Sequence, residues 1–182
     1  MTESRPLLRR EGVSRSGRAW LIRPTRVDED AAELVRIRDE VAGEGGLMAA
    51  VPGERSAFEE SLALANLLSA GGLAVTLEVD GRVAGHLMVE RRRGAYEHHR
   101  GDLSIAIRDG YRGEGLGRAL ITTAVEWARA VGLRKLTLGV FPSNQPAVAL
   151  YRSVGFVEEG VLRSHLHVAG ADRDLTVMGL LL

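Results

Sequence analysis

The sequence predicts an α/β fold of the α+β kind: a mixed, mainly antiparallel central sheet with helices packed on both faces. Three observations carry this. Short apolar runs with strand-like alternation take turns with longer stretches of helical period. Asp80-Gly81 stands between two of those runs as a two-residue hairpin signal. A glycine-rich segment, Arg112 to Gly117, joins a strand directly to a helix. A length of 182 residues, 45% of them hydrophobic, suits one compact core, so residues 19–182 read as a single domain.

Residues 1–18 mix Arg5, Arg9, Arg10, Arg15 and Arg18 with Ser, Gly and few apolar groups, the profile of a poorly ordered arm. A first strand follows from Ala19 to Ile22, punctuated by Pro24-Thr25. Ala31, Leu34, Val35, Ile37 and Val41 fall at near-helical spacing behind an acidic start at Asp28. Gly43 to Gly53 holds four glycines and one proline, a loop of the kind that shapes substrate pockets, and a second helix runs from Glu54 to Leu68. Leu73 to Val79 and Arg82 to Val89 form the antiparallel pair around Asp80-Gly81.

In the second half, Leu103, Ile105 and Ile107 alternate with Ser104 and Ala106 as a half-buried strand should. Leu116, Leu120, Ala124, Trp127 and Val131 then mark a helix that Gly132 stops, and Lys135 to Val140 is the next strand. Asn144 caps a last helix with Pro146 in its first turn, and Gly155 ends it. Phe156 to Leu162 and Leu175 to Leu181 read as two closing strands.

Composition narrows the chemistry. With no cysteine, thiolate nucleophiles, disulfides and cysteine-based metal sites are excluded. The 24 basic and 24 acidic side chains cancel, so no global field marks a nucleic-acid binder, and an anion site has to be local. Lys135 is the only lysine, which a genome-wide preference for arginine accounts for. No apolar run reaches the core of a signal peptide or the ~20 residues of a membrane span, so the expected setting is cytoplasmic, with no membrane partner.

The segment Arg112-Gly113-Glu114-Gly115-Leu116-Gly117 can hold an anion. Glycines let a ligand approach the backbone, the helix start leaves amides unpaired, and the helix dipole favours negative charge. Arg112 and Arg118 can add charge-assisted contacts at the two ends, which suits a diphosphate. The spacing excludes two other nucleotide motifs. A Rossmann fingerprint would need glycine where Arg118 stands, and no Gly-Lys-Ser/Thr follows as in a Walker A loop.

With Arg112, Gly115 and Gly117 in these places, the segment resembles the acetyl-CoA signature of the GNAT superfamily of acetyltransferases. Asn144 opening a helix, Tyr151, and Gly155-Phe156 stand where that family carries an Asn, a Tyr and a Gly-Phe. The similarity is strongest from Leu103 to Phe156. It implies acetyl-CoA as co-substrate, no metal, and a primary amine as acceptor, with a lean toward small molecules (amino acid, polyamine or amine toxin) over protein amino termini. A homodimer is compatible with the resemblance.

The resemblance also implies residue roles. Backbone amides around Ile105, Ala106 and Ile107 would meet the thioester and the pantetheine arm. Arg112, Gly113, Glu114, Gly115, Leu116, Gly117 and Arg118 would grip the diphosphate, and Asn144 would touch pantetheine while capping its helix. Tyr151 would be the general acid, because a phenol of pKa about 10 can protonate a departing thiolate yet stay neutral at physiological pH. Glu90, Glu97, His98, His99 and Asp102 are the candidates for a base, each expected near the mouth of the site. His165 and His167 lie two apart on one strand face without a third ligand, which argues against a metal. A non-catalytic acyl-CoA-binding module is the rival reading from another class.

Overall fold

The computed structural model describes residues 8–168 and 170–182. One eight-stranded sheet runs through it. Its strands in chain order are β1 (Arg10–Val13), β2 (Ala19–Pro24), β3 (Leu73–Val79), β4 (Arg82–Arg91), β5 (Arg100–Ile107), β6 (Lys135–Val140), β7 (Val157–Val168) and β8 (Ala171–Leu181). Their order across the sheet is β1-β2-β3-β4-β5-β6-β8-β7, and every neighbouring pair is antiparallel except β5 with β6. The helices are α1 (Val27–Gly43), α2 (Ala57–Ser69), α3 (Leu116–Ala130) and α4 (Gln145–Val154).

Strand alternation sorts the core into two layers. Leu73, Val75, Leu77, Leu87, Val89 and Leu103 point to the face covered by α3 and α4, where they pack with Leu120, Ile121, Ala124 and Val148. Ala74, Met88 and Ala106 point to the other face and meet Ala31, Leu34, Ile37 and Leu64 of α1 and α2. Helices thus cover both faces, as expected.

Local chemistry fixes the elements. Asp80 and Gly81 both take positive φ, 49° and 75°, the turn geometry whose twist matches a hairpin. At the start of α1, Asp30 accepts two hydrogen bonds from the Arg23 guanidinium at 2.7 and 2.8 Å and one from the Arg26 amide at 2.8 Å. Arg23 also donates to Glu78 at 2.7 Å, and Thr76 donates to Asp30 at 3.0 Å. The Arg23 guanidinium and its hydrogen bonds hold the Asp30 carboxyl below its usual range against the opposing effect of burial.

Some boundaries differ from the expectation. Residues 1–7 of the expected arm lie outside the described residues, but Arg10–Val13 is a strand at the sheet edge, paired with Ala19–Ile22. Its two charged residues, Arg10 and Glu11, suit an edge, and its lack of an apolar stripe hides the strand signal. The second helix begins at Ala57, because Ser56 and Glu59 form a reciprocal capping box there. β5 begins at Arg100 rather than Leu103, and β7 and β8 extend into a long hairpin reaching Val168 and Ala171.

Candidate active site

The site is built where the one parallel joint of the sheet comes apart. β5 and β6 pair only at Arg100 with Lys135, Gly101 with Leu136 and Asp102 with Thr137, after which the two strands diverge. On its other side β5 stays paired with β4 as far as Ile107. The Arg108 amide donates to the Ala84 carbonyl at 2.9 Å, and alternation along an antiparallel ladder then turns the amides of Ala106 and Ser104 toward β4. The amides of Ile105 and Ile107 therefore face the gap, and that of Ala106 does not. Of the three expected residues, two turn their amides toward the gap.

A cavity of about 860 Å³ fills the opening. Leu103 to Ile107 line one wall, Gly139, Val140 and Phe141 the other, and the glycine loop with the start of α4 the far end. Val41, Leu47, Met48 and Ala49 bring in the end of α1 and the loop behind it. The glycine-rich linker thus reaches the pocket, as its composition suggested.

Between β5 and α3, Gly113 and Gly115 have φ of 77° and 87°, a left-handed backbone that glycine adopts without strain. Space for a Cβ is open at both. At Gly117 a Cβ would stand 2.7 Å from Leu150 Cδ2, so glycine there lets α4 pack close. The amides of Leu116, Gly117 and Arg118 have no acceptor among the described residues, because the first capping bond of α3 runs from Ala119 to Gly115. These amides and the helix dipole make the loop fit a phosphate group.

The side chains of the loop are arranged differently from the expectation. Arg112 donates to both Glu44 carboxylate oxygens, at 2.5 and 2.7 Å, and from Nε to the Ile107 carbonyl at 2.8 Å. It braces the loop against the end of α1 and is not a free phosphate ligand. Glu114 turns away to accept from the Ser16 amide at 2.8 Å, and the Ser16 side chain together with that amide holds its carboxyl below the usual range. Arg118 lines the cavity and, among the described residues, donates only to the Ser153 carbonyl, at 3.2 Å.

Tyr151 and Asn144 both line the cavity. Gly155, at φ 108°, ends α4 and turns Phe156 back, so that the Phe156 amide donates to the Tyr151 carbonyl at 3.1 Å and the two rings lie 6.0 Å apart. That packing fixes Tyr151. Its hydroxyl has no hydrogen-bond partner among the described residues, and burial pushes its pKa up to about 12. Asn144 caps α4 by accepting from the Ala147 amide at 3.3 Å.

The expected bases lie elsewhere. Glu90 and Asp102 are paired across β4 and β5 at the closed end of the joint, about 16 Å along the strand from Ile107. Asp102 is bound by Arg92 and Arg100, Glu97 by Arg100, and the His98 ring by the Ala95 carbonyl. None of them, nor His99, lines the cavity, whose described wall carries no carboxylate. His165 and His167 sit on the distal β7–β8 hairpin, where His167 pairs with Asp172 at 2.8 Å. Among the described residues no three such groups gather as metal ligands. No helix there is long and apolar enough to cross a membrane.

Among the charged residues of the described wall, Arg15 is the one the sequence does not point to. It comes from the segment expected to be an unstructured arm, and its side chain donates to the Gly113 carbonyl at 3.1 Å.

Known proteins share this architecture. An acetyltransferase of the GNAT family from Streptococcus pneumoniae superposes with a TM-score of 0.81 at 32% identity, over 90% of this chain and 99% of that one. The N-alpha-acetyltransferase RimI of Mycobacterium tuberculosis is 40% identical over 77 residues, 42% of this chain and 44% of the relative. An L-methionine sulfoximine/L-methionine sulfone acetyltransferase of Pseudomonas aeruginosa is 36% identical over 88 residues, 48% of each chain. The chain thus spans about half the length of these two relatives. A family model, Acetyltransferase (GNAT) family, matches residues 34–156, from the first helix through the Gly-Phe that fixes Tyr151. The chain belongs to the GNAT family of acetyltransferases.

Proposed function

We propose that this protein transfers the acetyl group of acetyl-CoA to the primary amine of a small molecule. The observation that carries the reading is the divergence of β5 from β6, which opens a cavity between unpaired strand amides at one end and an unpaired helix start at the other. The phosphate groups fit the amides of Leu116, Gly117 and Arg118, with Arg118 alongside. The pantetheine arm, amide-bearing and extended, fits the free edge of β5.

Attack of an amine nitrogen on the thioester carbon makes the C–N bond and places negative charge on the carbonyl oxygen. The Ile105 or Ile107 amide is the donor available to it. As the C–S bond breaks, the Tyr151 hydroxyl donates its proton to the departing sulfur, and the proton shed by the nitrogen restores the phenol through water. A pKa raised to about 12 keeps Tyr151 protonated at neutral pH. With no carboxylate in the described wall, the amine loses its own proton to water rather than to a fixed base.

The P. aeruginosa relative, whose name specifies amino-acid analogues, supports a small acceptor. The M. tuberculosis relative supports the second reading, acetylation of a peptide α-amine. The test is calorimetric binding of acetyl-CoA by the wild-type protein and by Gly115→Glu, which puts a carboxylate and a left-handed strain into the loop. Loss of binding in the variant is expected, and equal binding refutes the assignment. A screen of amino acids, polyamines and short peptides, read as free thiol released, then separates the two acceptors.

A further inference from the structure

The β1–β2 turn, residues 14–18, is tied by three hydrogen bonds to the glycine loop and by a fourth to Gly110 just before it. The Arg15 amide donates to the Glu114 carbonyl at 3.3 Å and the Arg15 guanidinium to the Gly113 carbonyl at 3.1 Å. The Ser16 amide donates to the Glu114 carboxylate at 2.8 Å, and the Arg18 guanidinium to the Gly110 carbonyl at 2.8 Å. Arg18 also lies 4.7 Å over the Tyr111 ring. The turn lies outside the residues that match the family model.

Three arginines line the cavity, Arg15, Arg112 and Arg118. Arg112 is neutralised by Glu44. Arg15 and Arg118 have no carboxylate partner among the described residues, and each spends one N–H on a backbone carbonyl. Among the described residues, Arg15 keeps the rest of its guanidinium fork unused at the rim of a cavity whose described wall carries no acid. A planar fork with unused donors, held by the backbone beside unpaired amides, is suited to a phosphate oxygen.

We propose that Arg15 is a phosphate-binding residue for the nucleotide end of acyl-CoA, delivered by the amino-terminal hairpin, which forms a wall of the donor site. This rests on the acetyl-CoA reading above. The phosphate is either the diphosphate or the 3′-phosphate, and the same experiment assigns it.

Calorimetric Kd values for CoA, 3′-dephospho-CoA and pantetheine are measured with wild type, Arg15→Gln and Arg15→Lys. Arg15→Gln is expected to weaken CoA about tenfold to a hundredfold, the usual worth of a charge-assisted hydrogen bond, and to leave pantetheine unchanged. Arg15→Lys recovers part of the loss by keeping the charge. A penalty retained with 3′-dephospho-CoA assigns the diphosphate; one that vanishes with it assigns the 3′-phosphate. Equal CoA binding by wild type and Arg15→Gln overturns the proposal. So does an equal penalty on pantetheine, which would mean that Arg15 only props the loop. Failure of the wild type to bind CoA overturns the parent reading instead, so the two failures are told apart.

Discussion

His86 should make the protein lose stability steeply on mild acidification. It lies on β4 between Thr76 of β3 and Ala106 of β5, facing α1 and α2, and is 7% exposed. Neither ring nitrogen has a hydrogen-bond partner among the described residues. Glu60 of α2, itself buried and held by Arg55 at 2.9 Å, is the charged group that favours the protonated ring. Burial outweighs it and lowers the His86 pKa from 6.5 to about 4. The unfolded chain therefore binds more protons than the fold between these values, so the stability is fully present above pH 6.5 and is lost as pH falls toward 4. Linkage gives a loss of about 2 kcal/mol between about pH 7.5 and about pH 5, of about 3 kcal/mol for the whole shift. Carboxylates held low in the fold, Asp30 among them, add their own loss only further down. Urea unfolding of wild type and His86→Leu across that range isolates the effect. The variant gives up no hydrogen bond, so it should be near neutral at about pH 7.5 and show a flatter acid limb. Parallel limbs for the two proteins would refute a buried, neutral His86.

Three further outcomes follow from particular contacts. Tyr151→Phe should lower kcat about 100-fold in a thiol-release assay while leaving acetyl-CoA binding unchanged, since only the proton is removed; an unaltered kcat would remove Tyr151 as the acid. Asp30→Asn leaves the Arg23 guanidinium, at 8% exposure, with Glu78 as its one carboxylate among the described residues, and should cost about 3 kcal/mol in urea unfolding. Ser56→Ala breaks the capping box of α2 and should cost about 1 kcal/mol by the same measurement.

Much of the fold was legible because it follows from local signals. Asp80-Gly81, Gly132, Asn144 and Gly155 each punctuate the chain as their backbone chemistry requires, and alternation separated the two faces of β5, although Ala106, set on the outward side, is buried under α1 and α2. What depends on distant partners was not legible. The Arg112 side chain is fixed by Glu44, 68 residues away, and the sequence alone assigned it to a ligand. The charged residues from Glu90 to Asp102 seemed close to the site because they are close in sequence to β5. The strand starts at Arg100 and carries them to its opposite end. Arg15 carries no signal because the four-residue edge strand before it, Arg-Glu-Gly-Val, has no apolar stripe and so has the composition of a tail. Ser56 and Glu59 did carry a signal for the true start of α2, as a capping box, that the sequence reading did not use.

The short parallel joint has a consequence for how the molecule holds together. Strands β1 to β5 and strands β6 to β8 are two hydrogen-bonded leaves. The joint between them has three register pairs, whereas β4 with β5 has seven and β6 with β8 has six. Beyond those three pairs the leaves are held by shared apolar packing, with Leu136, Leu138 and Met178 in the same core as Leu87 and Leu103. A molecule lying in the gap would touch both leaves and supply rungs that the ladder lacks, and so would act as tertiary structure. At 100 times its Kd such a molecule adds about 2.7 kcal/mol to the folded state. In a chain of this size that is a substantial part of the whole, and the amides of Ile105 and Ile107 are where slowed hydrogen exchange would register it first.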